Sequence, residues 1–543
     1  MKNFGKFMMA ALLATGLWAC SEDAVVTGEG EDVADEVYMS FDLQLPTVTR
    51  SATDENSGTT NSDANPDSEV GNDSENKVSS VVVVLATESN GTYTHAVESS
   101  VVTPVGSGDS YVATFEADNV AGIAGQQVAV FVICNPTETG NFADLFTANS
   151  NAGRKGTVAS TDLKLENSIA KANNFLMTNS KIVKTGTLPA AKELAKYNST
   201  TNPYPLGEVE VERAAARFDY KAAKQNNTYA IKDKDGNETG INIVLTDVAL
   251  MNLSKEYYYL RRVAAASTTA TGQYDPANET LCGVETSTNY VVDTDAAGKL
   301  AGTATVDNFY YNLGAGNSID PTTFTYTALS EINGETKWTT DTNYKIWRYA
   351  TENTMPSIGS QKHKYTTGVV FKGKITETET DESKKLLDGE SAVYVYANTL
   401  YGSWAKVKAA ATATDANADL AAAYAQVGET ENKEAAVAAQ FTVYEPNDSG
   451  DYEVYYYYWN RHNNNATADD PKETEMGVME FAVVRNNVYK LSVTDIALFG
   501  HPADPDNDPD EPDPDDPDES TKVYFRVAVK VLPWVVRVNN IEF

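Results

Sequence analysis

Four histidines, His95, His363, His462 and His501, are the residues of this chain best suited to proton transfer or metal ligation, and they are scattered. No His-Glu-x-x-His, Gly-x-Ser-x-Gly, phosphate-loop or Cys-x-x-Cys pattern occurs, so the spacings that gather a nucleophile, a base or a metal on one face are missing. Gly314-Ala-Gly316 lacks the third glycine of a dinucleotide loop and reads as a turn. The alternating Asp504, Asp506, Asp508 and Asp510 could offer oxygens to calcium, but neither a turn glycine nor a bidentate glutamate follows at loop spacing, and a solvated spacer explains them more simply. Tyr455-Tyr-Tyr-Tyr-Trp-Asn460 and Tyr257-Tyr-Tyr259 could stack on sugar rings, although strand alternation would turn half of each run into a core. These residues point to no enzyme, no cofactor and no metal.

Two positions suggest covalent processing instead. Lys2 and Lys6 precede an apolar run from Phe7 to Leu17, and Leu17-Trp18-Ala19-Cys20 then places a small residue before a cysteine. That pattern predicts a signal peptide over 1–19 and lipid on Cys20; an ordinary secretory signal with an incidental cysteine is the other reading. Further on, Pro46 precedes Thr47-Val-Thr-Arg-Ser51, an exposed-looking stretch in which Arg50-Ser51 offers a site for proteolysis. Cys134 ends the apolar run that starts at Val128 and reads as a buried free thiol, with a Cys134–Cys282 disulfide as the alternative in an oxidising compartment.

The elements around these positions are strands. Val37, Met39, Phe41, Leu43 and Leu45 alternate with Tyr38, Ser40, Asp42 and Gln44, the period of two of a half-buried strand. Val523, Phe525, Val527, Val529 and Val531 repeat that pattern near the C-terminus, with Tyr524, Arg526, Ala528 and Lys530 on the opposite face. Pro533 is expected to interrupt this ladder before Trp534, Val536, Val538 and Ile541 resume it. The tract Ala503 to Ser520, rich in Asp and Pro, cannot form a core; extended at ~3.1 Å per residue it reaches roughly 50 Å. It is expected to hold the terminal strand away from its own domain. No second run of 18 or more apolar residues occurs, so no membrane span is expected.

The 543 residues carry a net charge of −35, which argues against nucleic acid and anionic membrane surfaces as partners. Frequent Gly, Asn, Ser and Thr with 30 tyrosines suit an extracellular β-protein. The expected division is a signal peptide (1–19), a propeptide with a leader strand (20–50), a flexible polar arm (51–76), an N-terminal β-sandwich (77–207), a C-terminal β-sandwich (208–500), an Asp/Pro linker (501–521) and a terminal strand (522–543). A helical interlude between Phe142 and Phe175 and an Ala/Lys stretch over Ala190 to Tyr197 are expected as surface connections, and a helical insertion is expected over Ala405 to Gln440, where Ala, Lys, Glu and Gln are prominent.

Two near-equivalent strands in one chain suggest competition for one groove. Cutting after Arg50 would release the first strand, and the tethered strand of another copy could replace it. Such a head-to-tail contact need not close, and an open one makes filaments. Here the sequence resembles a known family, the type V pilus fimbrillins of Bacteroidales-type bacteria, and among them the Mfa-type major subunits of minor (short) fimbriae. The likeness rests on Cys20 with the acidic Ser21-Glu22-Asp23 after it, Arg50-Ser51, Arg213-Ala-Ala-Ala-Arg217, the tyrosines before Trp459, Arg485-Asn-Asn-Val-Tyr489, the Asp/Pro tract, Leu532-Pro-Trp534 and Ile541-Glu-Phe543. The resemblance implies a mainly β fold of two transthyretin-like β-sandwich domains with small helical insertions and a tethered C-terminal donor strand. It further implies export as a lipidated outer-membrane precursor, cleavage at Arg50 by an arginine-specific protease, polymerisation with identical subunits by strand exchange, accessory anchor and tip subunits, and adhesion to host or bacterial surface receptors. A lipid-anchored monomer that binds glycans or adheres is the alternative.

Overall fold

A computed structural model describes residues 37–45, 69–138, 141–146, 153–269, 272–283, 289–310, 321–333, 344–362, 364–462, 479–503 and 525–535; for 69–70 and 525–535 the backbone alone is described. The fold is mainly β, built around two principal cores.

The first core lies inside a nine-stranded sheet that turns on itself. One half contains Val105–Ser107, Ser110–Ala117, the leader strand Val37–Gln44 and Tyr204–Arg213; the other contains Thr92–Glu98, Val81–Ser89, Gln127–Cys134, Met177–Asn179 and Val183–Thr187. Tyr204–Arg213 joins the halves, pairing through Glu210 with the leader strand and from Val211 onward with Met177–Asn179. The domain boundary therefore falls after Arg213 and not at 207, because residues 208–213 are needed to close the first sandwich.

The second core is held between two sheets. One orders Glu69–Val70, Phe525–Val535, Asn487–Ile496, Ala216–Tyr220 and Lys345–Ala350; the other orders Thr228–Lys232, Glu238–Met251, Gly368–Glu377, Tyr452–Trp459 and His501–Pro502. Three helices, Trp404–Ala411, Ala418–Val427 and Lys433–Ala438, form the expected insertion with a small core of their own around Tyr394, Trp404 and Phe441. Their first turns are capped by the side chains of Ser403, Asn417 and Asn432. Between Phe142 and Phe175, by contrast, the described residues hold a 3-10 turn at Ala143–Phe146 and short strands, with no α-helix; Lys155–Thr157 pairs with Glu256–Tyr258 instead. Ala190 to Tyr197 yields one turn of helix, Ala191–Leu194.

The polar arm ends earlier than 76. Asn72 and Glu75 form a capping box around the helix Asp73–Asn76, and Glu75 is then carried into the junction between the domains. There Arg217 Nη1 donates to Glu75 Oε2 at 3.0 Å, Tyr349 OH donates to Glu75 Oε1 at 2.7 Å, and Asp219 receives Arg217 Nε and Nη2, each at 2.9 Å. Arg213 donates from Nε to the Glu75 carbonyl at 3.1 Å and from Nη2 to Asn76 Oδ1. Arg485 closes the other side on Glu352 Oε2 at 3.0 Å and on the carbonyls of Tyr258 and Tyr259 at 2.8 and 3.1 Å. All three arginines are buried, so each needs these partners to remain charged.

Phe525–Val535 does not stand clear of its own domain. Its backbone runs antiparallel along Asn487–Ile496 from Ile496↔Phe525 to Asn487↔Pro533, and its far edge meets Glu69 and Val70 at Trp534 and Val535. The strand also passes through Pro533 unbroken, since a proline's missing N–H is tolerated on a strand whose outer edge is largely unpaired. An open edge on Asn487–Ile496 offers hydrogen bonds that a tether alone could not forbid.

Candidate functional site: the groove filled by the leader strand

The leader strand is an interior strand, although its only covalent link to the rest of the domain runs through residues 46–68. On one side it pairs antiparallel with Ser110–Ala117 over its full length, from Val37↔Ala117 to Gln44↔Ser110. On the other it runs parallel to Tyr204–Arg213, from Met39↔Tyr204 to Gln44↔Glu210, with an irregularity between Ser40 and Asp42. Gly207 lies across from that irregularity with φ +99°, a conformation an L side chain would strain to adopt. Backbone bonds fix both ends: Tyr38 N–H donates to the Tyr197 carbonyl at 2.7 Å and Leu45 N–H to the Asp109 carbonyl at 2.8 Å.

The inward face is dry. Val37, Met39 and Leu43 are 0% exposed, Leu45 1% and Phe41 2%. Phe41 meets Phe115 edge to face, with ring centroids 6.5 Å apart. Burying five such side chains contributes roughly 8–15 kcal/mol as an upper bound before ordering costs. Withdrawing the strand would open a slot about 27 Å long with an apolar floor and unpaired N–H and C=O groups along both walls. Such a slot accepts another strand and little else.

The outward face is polar and acidic. Asp42, which is exposed, stands beside Val112 on one side and beside Glu208 on the other. Tyr38 faces Glu116, and Gln44 lies between Ser110, whose hydroxyl accepts from Gln44 Nε2 at 3.3 Å, and Glu210. Glu210 already holds Lys181 at 2.6 Å.

The other sequence candidates fall elsewhere. Phe525, Val527, Val529, Val531 and Trp534 lie on the strand docked against Asn487–Ile496, in the second domain. Cys20, Arg50, Ser51, Val523, Val536, Val538 and Ile541 lie outside the described residues, as does His363. His95 contacts Glu98 at 3.2 Å, His462 Nδ1 lies 2.9 Å from Tyr489 OH, and His501 packs against Tyr457, so these three sit in separate environments. Tyr455 and Tyr456 are both buried, one on each face of the strand Tyr452–Trp459, and Tyr257, Tyr258 and Tyr259 are buried too; none offers a bare ring to a sugar. Cys134 and Cys282 are free thiols, and burial pushes Cys282 up to about 12 and Cys134 higher still. Among the described residues no group of three His, Cys, Asp or Glu side chains is placed to hold a metal ion.

The second domain and the strand docked on it carry the decisive comparison. Residues 451–540 match the model of the C-terminal region of fimbrillin, the major fimbrial subunit protein type IV. The match covers this stretch alone and leaves the rest of the chain outside it. The matched stretch includes both Asn487–Ile496 and Phe525–Val535, so the likeness extends over the tail strand and its docking edge. Solved structures are remote in sequence. A Parabacteroides distasonis ATCC 8503 protein provisionally described as a cell adhesion protein is 12% identical, with 93% of this chain and 99% of that one covered and a TM-score of 0.40. Fimbrilin (FimA) of Porphyromonas gingivalis W83 is also 12% identical, with 93% and 99% covered and a TM-score of 0.37. The tip fimbrial protein Mfa3 of Porphyromonas gingivalis is 10% identical, with 92% and 100% covered and a TM-score of 0.32. No curated protein matches the sequence.

The junction around Glu75 escaped the sequence reading. Its signal was present in Asn72-Asp-Ser-Glu75, a capping-box spacing at the end of a stretch too polar to suggest buried structure.

Proposed function

We propose that this chain is a structural, non-enzymatic shaft subunit of a cell-surface fimbria, of the Mfa-type, that polymerises by strand exchange. The precursor travels as a lipoprotein anchored at Cys20 to the outer membrane. An arginine-specific protease cuts after Arg50, the leader strand leaves, and the segment 523–543 of an identical subunit enters the groove between Ser110–Ala117 and Tyr204–Arg213. Repetition head to tail builds the filament, completed by anchor and tip subunits, and the filament serves adhesion and colonisation. One observation carries this reading: a doubly paired strand with a fully buried apolar face is joined to its domain only by a segment that contains Arg50. An interior strand that a single cut can free is a poor way to stabilise a monomer and a direct way to store a binding site.

Two variants test it. Deleting 523–543 should leave folded, exported monomers; filaments that persist on electron micrographs would refute the donor assignment. Arg50→Ala should hold the precursor as a monomer, and normal polymerisation of that variant would show that cutting there does not open the groove. Ser51 is the expected first residue of the assembled protein.

A further inference from the structure

The outward rim of the groove distinguishes its two occupants by charge. Along the walls, the side chains that share the leader's exposed face include Glu116, opposite Tyr38, and Glu208, opposite Asp42, both exposed. Glu210 is engaged by Lys181, whereas no cation is paired with Glu116 or Glu208 among the described residues. The leader answers this rim with Asp42, a carboxylate beside a carboxylate, and like charges placed opposite one another in a ladder oppose pairing. The tail strand carries the opposite sign at the same spacing. In Phe525-Arg-Val-Ala-Val-Lys-Val531 the alternation that turns the valines inward turns Arg526 and Lys530 outward, four residues apart. Tyr38 and Asp42, which face Glu116 and Glu208, are also four residues apart.

We infer that Glu116 and Glu208 are specificity determinants of the groove, which select a second copy's tail strand over the chain's own leader and set its register by pairing with Arg526 and Lys530. This rests on the strand-exchange reading above. Running as the leader does, the tail meets both glutamates at once when Arg526 stands at the place of Tyr38 and Lys530 at that of Asp42. Val527, Val529 and Val531 then occupy the inward places of Met39, Phe41 and Leu43. A slip of one residue turns the valines outward, so only slips of two compete, and each of these leaves at least one of the two cations without a rim glutamate directly opposite. The apolar face drives insertion, and the rim decides which strand inserts and where it stops.

The test uses full-length subunits, cleaved with an arginine-specific protease and followed by light scattering and by detergent-resistant ladders on gels. Arg526→Glu with Lys530→Glu should slow assembly roughly 5- to 30-fold at low salt, as should Glu116→Lys with Glu208→Lys, the range expected for two exposed cross-strand pairs. Combining the four substitutions should restore the rate, and 1 M NaCl should narrow the differences, since exposed pairs are screened. Unchanged rates in both double variants, or no rescue on combination, would overturn the inference. The deletion of 523–543 separates the two ideas: if it abolishes assembly while the charge variants behave as wild type, only the rim loses its role. If the deletion still assembles, strand exchange by the tail falls as well.

Discussion

On the strand-exchange reading, Phe41→Ala is the perturbation that isolates the leader, because the altered residue would depart with it while both the groove and the incoming tail stay unchanged. Phe41 is 2% exposed and stands edge to face with Phe115 at 6.5 Å. Truncating a buried phenylalanine costs about 3–5 kcal/mol, of which the ring pair supplies about 1. Once the chain is cut the leader is a bound peptide, and losses of this kind appear mainly in its dissociation rate, which should rise about 10²- to 10³-fold or more. Before the cut, the tether holds the strand at an effective concentration near the millimolar range, so uncut Phe41→Ala should remain seated and monomeric. Purified precursor would be cleaved at Arg50, release of the leader peptide followed by mass spectrometry after rapid gel filtration, and polymer growth followed by light scattering. Both should accelerate together in the variant. A leader that stays bound as long as the wild-type peptide would refute the claim that its inward face holds it. Polymerisation of the uncut variant at the cut wild-type rate would refute the claim that the cut is the trigger.

Glu75→Gln keeps the shape at the domain junction but removes the charge that faces Arg217, so about 3 kcal/mol of stability should be lost and the melting temperature should fall by about 6–12 °C in calorimetry. Asp388 is held down to about 2 by the backbone N–H groups of Ser391 and Glu390, at 2.7 and 2.8 Å, with Tyr452 OH adding to them. Its folded value lies below the usual carboxylate value of about 3.9, so its contribution to stability is complete above about pH 4 and fades as the pH falls toward 2. Denaturation midpoints measured between pH 2 and 5 should therefore fall less steeply with acid in Asp388→Asn than in the wild type.

The strands were legible where one face is wet, because alternation then survives in the sequence: Val37–Gln44 and Ser110–Ala117 show it plainly. The helical insertion was legible through its composition, and each of its helices begins at a residue suited to cap it. The junction was not. Arg213-Ala-Ala-Ala-Arg217 reads as part of a strand with Asp219 two residues beyond it, and only the fold brings Glu75 and Asn486 to these arginines from distant parts of the chain. Tyr204–Arg213 hid its double role for a similar reason, since a strand's pattern records which face is buried and not which neighbours it joins. The home position of the tail was hidden too. Nothing local in Phe525–Val535 says that the edge of Asn487–Ile496 lies within reach of the Asp/Pro tract.

On the strand-exchange reading, that home position changes what assembly requires. On its own domain the tail is paired along one edge, and on the other only at Trp534 and Val535. The groove would pair an occupant along both edges and bury its apolar face, as it does for the leader. Moving the tail into a neighbour therefore adds a second ladder, at about 0.5–1.5 kcal/mol net per hydrogen bond, while it uncovers the edge of Asn487–Ile496 and loses association entropy. The surplus is the difference of these terms and must first overcome the leader. A tethered leader near millimolar effective concentration outcompetes a micromolar neighbour by about 10³-fold, roughly 4 kcal/mol, with no difference in the strands themselves. Cutting the tether abolishes that advantage without altering the groove. Raising the concentration of uncut subunits should then fail to replace the cut until it approaches the millimolar range.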